Sequence, residues 1–150
     1  MSTKKTETLR KQIKRLKAEN DSLARASYLR NPLLNSTLWT QTAVEYRGTA
    51  RQAYVIAEVM MRRALDDSSW TASLQQAQAG ADTYRDKPPA VVLDVDETVL
   101  DNSAYEARLI LDDETYDSES WQSWVREEKA DAVPGALSFT RTAVKNGVQV

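Results

Sequence analysis

Two carboxylates stand close together at the end of a short apolar run. Residues 90–93 read Ala-Val-Val-Leu, a pattern that predicts a buried strand; Asp94 follows it directly, and Asp96 comes two positions later. A carboxylate directly after four apolar residues costs folding free energy unless it has a function at that place or is well paired. Ligands of parallel α/β sheets bind beyond the carboxyl ends of the strands. Asp94 and Asp96 are therefore the first candidates for chemistry.

The same pair of acids indicates what binds beside it. Neighbouring carboxylates repel each other, so we expect a divalent cation or a shared proton between them. The chain contains no His and no Cys, which excludes imidazole bases, thiolate nucleophiles, disulfides and thiolate zinc sites. The remaining oxygen ligands favour a hard ion such as Mg²⁺. The competing interpretation is a solvated acidic turn that contains Asp94, Asp96, Glu97 and Asp101.

The wider motif resembles a known family. A hydrophobic strand followed by Asp-x-Asp-x-Thr, as at residues 94–98, is the first signature of the haloacid dehalogenase-like (HAD) phosphohydrolases. The continuation through Ser103 to Tyr105 resembles the class C acid phosphatases, which include the lipoprotein e(P4)-type 5′-nucleotidases. The resemblance covers roughly residues 31–150. Its other segments follow in the family's order: Leu33–Trp39, Tyr46, Gln52–Tyr54, Trp121–Val125, Val133–Ala136 and Asn146–Val148.

This resemblance implies an α/β fold with a HAD-like Rossmannoid parallel sheet and the activity of a Mg²⁺-dependent acid phosphatase, in particular a 5′-nucleotidase. Asp94 would be the nucleophile that forms an aspartyl-phosphate. Asp96 would protonate the leaving alkoxide and then act as the base on the hydrolytic water. Mg²⁺ would bind the Asp94 carboxylate and the Asp96 backbone carbonyl. Thr98 would brace the loop by hydrogen bonding.

The resemblance also implies a small phosphomonoester substrate, either a nucleoside monophosphate or an aryl phosphate. Trp121 matches the family's aromatic residue that stacks on the organic part of the substrate, and Tyr105 is a candidate second wall. Trp121 and Trp124 share one helical face, but core packing together with Val125 is the favoured interpretation for Trp124. Asn102 either hydrogen-bonds near the phosphate or closes a turn, and the sequence leaves both roles open.

Apolar spacing and capping residues predict the elements that position these side chains. A strand at 90–93, a crossover and a new strand at 148–150 are typical of a parallel sheet. The resemblance implies that residues 88–150 are the N-terminal part of a HAD-like domain, truncated in that second strand. A helical segment at 31–87 precedes it. The predicted helices lie at 37–65 with a cap at Asn35 or Ser36, within 70–87, at 103–112, at 118–129, and from Pro134 to a cap at Gly147.

Residues 1–30 form a basic segment of different character. They carry nine basic and three acidic residues, a net charge of +6, whereas the rest of the chain carries eleven basic and nineteen acidic residues, a net charge of −8. Within a predicted helix at 7–26, five positions alternate by four and three residues, which is the heptad spacing of a short coiled coil. These positions are Leu9, Ile13, Leu16, Asn20 and Leu23.

This basic helix allows several interpretations. It can form a homodimer through residues 7–26, act as a spacer, present a solvated face, or be frayed or disordered, and its positive charge suits contact with nucleic acid or an anionic membrane surface. Tyr28 is its one aromatic residue for base stacking, and no nucleic-acid partner is predicted. No apolar run reaches the roughly 18 residues of a membrane span, and the segment has neither a signal-peptide core nor a Cys for lipidation. The compartment stays open; the resemblance alone suggests the bacterial cell envelope or periplasm.

The chain also departs from the family pattern. The family's later Thr or Ser, its balancing Lys and its further metal-binding acids would all lie beyond Val150, and residues 90–107 contain no Lys or Arg. Residues 1–150 alone are therefore expected to be inactive or nearly so. Two other functions compete with the phosphomonoesterase. One is a protein phosphatase of the same superfamily; such phosphatases lack the Leu-Asp-Asn-Ser sequence and the paired Trp residues that this chain contains. The other is a non-catalytic helical interaction module.

Overall fold

The structure, a computed structural model, describes residues 2–28 and 31–150, with side chains described at 7, at 9–23 and from 31 onward. Within these residues the chain forms seven α-helices, two short strands and a 3₁₀ turn. The fold is α/β and mostly helical. The helices are α1 (Ser2–Tyr28), α2 (Leu34–Thr42), α3 (Val44–Leu65), α4 (Leu74–Ala79), α5 (Ser103–Asp112), α6 (Ser118–Glu127) and α7 (Ala136–Lys145); the strands are β1 (Leu100–Asp101) and β2 (Asp131–Ala132); the turn is Ala81–Thr83.

The chain divides into two compact units that are not continuous in sequence. One unit combines Ser103–Glu127 with the residues up to Gln41, and so contains α1, α2, α5 and α6. The other combines Thr42–Asn102 with Glu128–Val150, and so contains α3, α4, α7 and both strands. The linear segments 1–30, 31–87 and 88–150 stay a prediction.

In the second unit, α3 and α7 pack against the end of the chain. Their apolar faces, together with the residues that lead into the acidic motif, exclude water from a small core, and this burial is the main favourable term that holds the unit together. The buried members are Met61, Phe139, Ala143 and Val148, and Tyr54, Ala57, Val91 and Leu93 pack against them.

The apolar run before Asp94 meets the end of the chain in parallel, as the sequence predicts, but in one bridge and not as the two predicted strands at 90–93 and 148–150. Ala90 and Gln149 form a parallel bridge. The N–H of Val91 donates to the Gln149 carbonyl at 2.7 Å. The prediction that the whole run is buried is wrong, because Val92 is 95% exposed. Successive side chains of an extended segment point to opposite sides, so Val92 turns away from the core.

The helix predicted over 37–65 is two helices. Ala43 separates α2 from α3 with an extended backbone (φ −74°, ψ 128°), although no Pro or Gly marks that position. The predicted caps at Asn35 and Ser36 are also wrong. The side-chain carbonyl of Asn31 instead accepts the N–H of Leu33 at 2.9 Å, one residue before α2 begins.

The C-terminal end of α7 follows the sequence prediction. Gly147 adopts φ +75°, the left-handed conformation that glycine reaches without strain. The N–H of Val148 donates to the Ala143 carbonyl and that of Gly147 to the Val144 carbonyl, each at 3.0 Å. This is the Schellman arrangement, and it returns the chain toward the residues that precede Asp94.

In the first unit, the predicted helix 103–112 is confirmed as α5, and that at 118–129 ends two residues early as α6. Arg108 joins the two helices through a two-pronged ion pair with Glu127, at 2.7 and 2.9 Å. Its guanidinium also lies over the ring of Trp124, 5.3 Å from the ring centre. Thr37 of α2 donates to the Glu106 carboxylate at 2.9 Å, so α2 is fixed to α5.

A short antiparallel pair of strands in the second unit was not predicted. Leu100 pairs with Ala132 and Asp101 with Asp131. The N–H of Val133 extends the pairing to the carbonyl of Val99 at 2.9 Å. The residues that follow the acidic motif are therefore held to the segment that leads into α7.

The start of α7 differs from the prediction, and the residue before it packs tightly against Tyr54. The helix begins at Ala136 rather than at Pro134, and Gly135 before it adopts φ +103°. A Cβ atom added to Gly135 would lie 3.0 Å from both Cβ and Cδ2 of Tyr54, whereas one added to Gly147 would meet nothing within 4 Å.

We expect Gly147→Ala to lower the free energy of unfolding by about 1 kcal/mol, because an L-residue is strained at positive φ. We expect Gly135→Ala to lower it by about 1–3 kcal/mol more, because Tyr54 must also move. Urea denaturation of both variants measures the difference. Equal losses would show that Tyr54 and Gly135 are not in tight contact.

Candidate active site

The segment after Asp94 folds into a tight loop. The Val95 carbonyl accepts the N–H groups of both Val99 and Leu100 at 2.9 Å, and the N–H of Glu97 donates to the Leu100 carbonyl at 2.8 Å. Glu97 adopts φ +55°, which is uncommon for a residue other than glycine. The Asp94 side chain is exposed just before this closed loop.

Asp96 is held by a side chain from just beyond the loop. The amide nitrogen of Asn102 donates to the Asp96 carboxylate at 3.0 Å. Asn102 is only 4% exposed, so burial limits the positions its amide can take. The structure thus brings together two of the residues that the sequence singled out, and gives Asn102 the Asp96 carboxylate as a partner.

Thr98 contributes to the loop through its backbone. Its carbonyl accepts a hydrogen bond from the hydroxyl of Tyr54 on α3, at 2.5 Å. The sequence predicts that Tyr54 lies in a helix and indicates no role for it at the site. Its partner lies 44 positions away in the chain, so no local pattern identifies the contact.

A second tyrosine of α3 lies close to the acidic segment. The pKa of Tyr46 is raised, first by burial of its hydroxyl and then by the negative charges of Asp101 and Glu97. The phenol therefore stays neutral at ordinary pH and adds no further negative charge beside these acids.

The loop offers a small number of oxygen atoms that could bind a hard cation. Asp94 and Asp96 offer carboxylate and carbonyl oxygens, which are the ligands of Mg²⁺. Among the residues the structure describes, no three acidic side chains converge to hold a metal ion by themselves. A site with one or two carboxylates is nevertheless usual for Mg²⁺, which keeps several of its waters and also binds substrate phosphate. Residues 94 and 96 therefore fit as part of such a site.

The aromatic candidates belong to the first unit. Tyr105 on α5 packs edge-on against Trp121 on α6, with ring centres 5.2 Å apart. Tyr105 is 4% exposed, and its hydroxyl bonds to that of Ser120 at 2.8 Å. Trp121 is half-buried and keeps part of its surface open. Tyr105 thus supports the Trp121 ring from the protein side.

Trp124 and Tyr116 complete this aromatic group. Trp124 is 2% exposed, which agrees with the packing interpretation, but Val125 is 55% exposed and takes no part in that packing. Tyr116 precedes α6; it is 62% exposed and its ring centre lies 6.3 Å from that of Trp121. Tyr116 is not among the residues that the sequence singles out, although its place five positions before Trp121 is a signal that could have found it.

Part of the chain is similar to solved phosphatase structures. The class C acid phosphatase from Bacillus anthracis is 32% identical, with a TM-score of 0.61; the match covers 77% of this chain and 42% of that protein. A structure of the same enzyme with tungstate bound is also 32% identical, with a TM-score of 0.60, and here the match covers 77% and 41%. The chain therefore spans less than half the length of these structures.

The profile of the HAD superfamily, subfamily IIIB (acid phosphatase), matches residues 2–150. This match takes in nearly the whole chain, including the acidic loop and the aromatic group. It agrees with the similarity to the solved class C enzymes in fold and in sequence. The chain belongs to the acid phosphatases of HAD subfamily IIIB.

Proposed function

We propose that this chain carries the nucleophile part of a Mg²⁺-dependent phosphomonoesterase that works through an aspartyl-phosphate. The observation that carries the proposal is the closed loop after Asp94. It leaves the Asp94 carboxylate exposed at the end of a parallel-paired segment, while Asn102 holds Asp96 two residues further on. A nucleophile that is accessible beside an acid that is held in place suits phosphoryl transfer.

The proposed reaction has two steps. A carboxylate oxygen of Asp94 attacks phosphorus and forms an acyl-phosphate bond as the P–O ester bond breaks, and the proton of Asp96 passes to the leaving alkoxide. Water then attacks phosphorus and gives a proton to Asp96, and the bond between Asp94 and phosphorus breaks to release inorganic phosphate. The enzyme ends in its starting state. The contact with Asn102 orients the Asp96 carboxylate for both transfers.

Enzymes of the HAD superfamily generally use a divalent metal, and we propose Mg²⁺ for this one. Asp94, through its carboxylate, and Asp96, through its backbone carbonyl, would supply the protein ligands. When bound, the ion offsets the negative charge that a phosphate brings to the acidic loop. This fits a segment, 90–107, that contains no Lys or Arg.

We propose nucleoside monophosphates as the substrates, with aryl phosphates as the alternative. Trp121, supported by Tyr105, offers a flat surface of the kind on which bases and aryl rings stack. The tungstate bound in the similar Bacillus anthracis structure is a tetrahedral oxyanion, as phosphate is, and so supports an oxyanion substrate.

Replacing Asp94 by Asn tests the nucleophile. In the full-length protein we expect Asp94→Asn to lower turnover of a nucleoside monophosphate by several orders of magnitude, because an amide keeps the shape of the side chain without its nucleophilic oxygen. Asp131→Asn is the matched control, since Asp131 is an exposed acid of the same unit outside the loop. Turnover of Asp94→Asn close to that of the control would rule out the assignment.

Two controls accompany that assay. Chelation by EDTA is expected to abolish activity, and added Mg²⁺ to restore it; full activity after exhaustive chelation would exclude the metal.

Residues 1–150 alone are expected to show little hydrolysis, because they contain no Lys or Arg within 90–107 and span less than half of the length of the solved relatives. Rapid hydrolysis by this chain would show that its own residues suffice.

A substitution of Trp121 tests the substrate. We expect Trp121→Ala in the full-length protein to raise KM for nucleoside monophosphates by roughly 5- to 150-fold, the equivalent of ~1–3 kcal/mol of lost stacking, and to leave KM for a small alkyl phosphate nearly unchanged. Trp39→Ala is the control, because Trp39 is another Trp of the first unit and its side chain is 50% exposed. Equal losses for both substrates would assign Trp121 to packing.

We also propose that residues 7–26 pair with a second copy of the chain. The helix α1 is continuous over Ser2–Tyr28, about 40 Å at 1.5 Å per residue, and its heptad side chains are exposed. In heptad terms Ile13 and Asn20 occupy position a, whereas the leucines occupy position d. The exposures are 50% for Leu9, 53% for Ile13, 63% for Leu16 and 70% for Leu23.

The residue types favour two parallel strands in register. A β-branched residue at a, with Leu at d, favours parallel dimers, and a single Asn at a favours the register in which it meets its own copy. In an antiparallel pair, position a faces position d, so the Asn20 amide would meet a Leu and lose its partner. In the parallel pair, Gln12 at g faces Lys17 at e of the other copy, so no like charges meet there.

Sedimentation of the 150-residue chain tests the dimer. We expect Leu16→Lys to make the chain monomeric at concentrations where the wild type dimerises, because it places a charge in the seam. Ala18→Lys is the matched control: Ala18 is exposed at the outward position f of the same turn, and we expect its variant to dimerise like the wild type. A wild-type chain that is monomeric throughout, or two variants that behave alike, would contradict the proposal.

A further inference from the structure

Tyr54 connects the acidic loop to the core of the second unit through its hydroxyl. The hydroxyl donates to the Thr98 carbonyl at 2.5 Å, two residues beyond Asp96. Thr98 lies inside the turn that the Val95 carbonyl closes by accepting the N–H of Val99 and of Leu100. The contact therefore fixes the middle of the turn, whereas the turn's own bonds fix its two ends.

The ring of Tyr54 is held from the opposite side. It packs against Gly135, where even one added carbon would come within 3.0 Å, and against Phe139, whose ring centre is 5.6 Å away. Phe139 is a buried member of the α3–α7 core. Because the ring has little room to move, its hydroxyl is presented to Thr98 from a fixed position.

We propose that Tyr54 is a positioning residue for the site, and that its hydroxyl, by binding the Thr98 carbonyl, sets where the loop places Asp94 and Asp96. The inference rests on the proposed function for its catalytic meaning. The contact on which it depends exists independently of any reaction.

The chemistry of the phenol suits a permanent donor. Burial raises the pKa of Tyr54 above its usual value near 10, so the hydroxyl keeps its proton throughout the working range of a phosphatase. Without the hydroxyl, the Thr98 carbonyl would have to find water as its partner. A loop held by the turn alone would then sample more positions for its carboxylates.

A packing role and a positioning role predict different results for Tyr54→Phe. Phenylalanine retains the ring against Gly135 and Phe139 and loses only the hydroxyl donor. If Tyr54 only packs, the substitution should therefore leave the loop unchanged. Tyr84→Phe is the matched control, because the Tyr84 hydroxyl also donates to a backbone carbonyl, that of Ser69, at 2.5 Å. That contact joins residues 69 and 84 and involves no residue of the acidic loop.

Amide hydrogen exchange of the 150-residue chain distinguishes the two roles. In Tyr54→Phe we expect the N–H groups of Val99 and Leu100 to exchange about tenfold faster than in the wild type, and that of Phe139 to exchange at its wild-type rate. In Tyr84→Phe all three should keep their rates. Unchanged loop exchange in Tyr54→Phe would overturn the proposal, and so would equal acceleration at Phe139, which would assign the effect to packing.

A second readout separates this inference from the proposed function. Mn²⁺, a spectroscopic substitute for Mg²⁺, is titrated into the full-length wild type and the full-length Tyr54→Phe and Tyr84→Phe variants, and its binding is followed by electron paramagnetic resonance. We expect weaker Mn²⁺ binding in Tyr54→Phe than in the wild type or in Tyr84→Phe; equal binding in all three would overturn the positioning of the carboxylates. If the wild type binds no Mn²⁺ but the loop of Tyr54→Phe still exchanges faster than that of the wild type, the result would count against the metal-dependent function. It would still establish that the Tyr54 hydroxyl restrains the loop.

Discussion

The positions of the two exposed acids, Asp94 and Asp96, depend on how firmly the closed loop from Val95 to Leu100 is held. An exposed side chain has few neighbours to fix it, so the backbone of the loop that carries both acids has to be restrained. Its backbone bonds to the Val95 and Leu100 carbonyls supply part of that restraint. Asn102 supplies another part by binding Asp96 directly.

Much of the second unit supports this loop from behind. The side chains of Val91 and Leu93 anchor the incoming chain in the α3–α7 core, and Gln149 pairs with its backbone. On the outgoing side, β1 pairs with β2 and so ties the loop to the segment before α7. Both ends of the acidic segment are therefore fixed to elements far away in sequence.

The sequence reveals those features that depend on local chemistry. The Asp-x-Asp motif after an apolar run, the bounds of α5 and the cap at Gly147 follow from side-chain type and spacing, and the structure agrees with them. Features that depend on residues far away in the chain could not be predicted from the sequence. The break at Ala43 carries no Pro, Gly or capping residue, and Val92 is exposed although its type predicts burial. Contacts across 44 positions, like that of the Tyr54 hydroxyl, leave no periodic trace.

Charge sets the last condition on the proposed chemistry. A phosphate monoester brings negative charge to a segment, 90–107, that already holds several acids and no Lys or Arg. Arg108, the first cation after it, is committed to Glu127 by two hydrogen bonds and lies over Trp124, so it contributes to the packing of α5 and α6. Freeing it would break both of its hydrogen bonds to Glu127. The compensating positive charge therefore has to come from a bound cation or from residues outside this segment, and the oxygen donors of the loop are of the kind that a hard cation prefers.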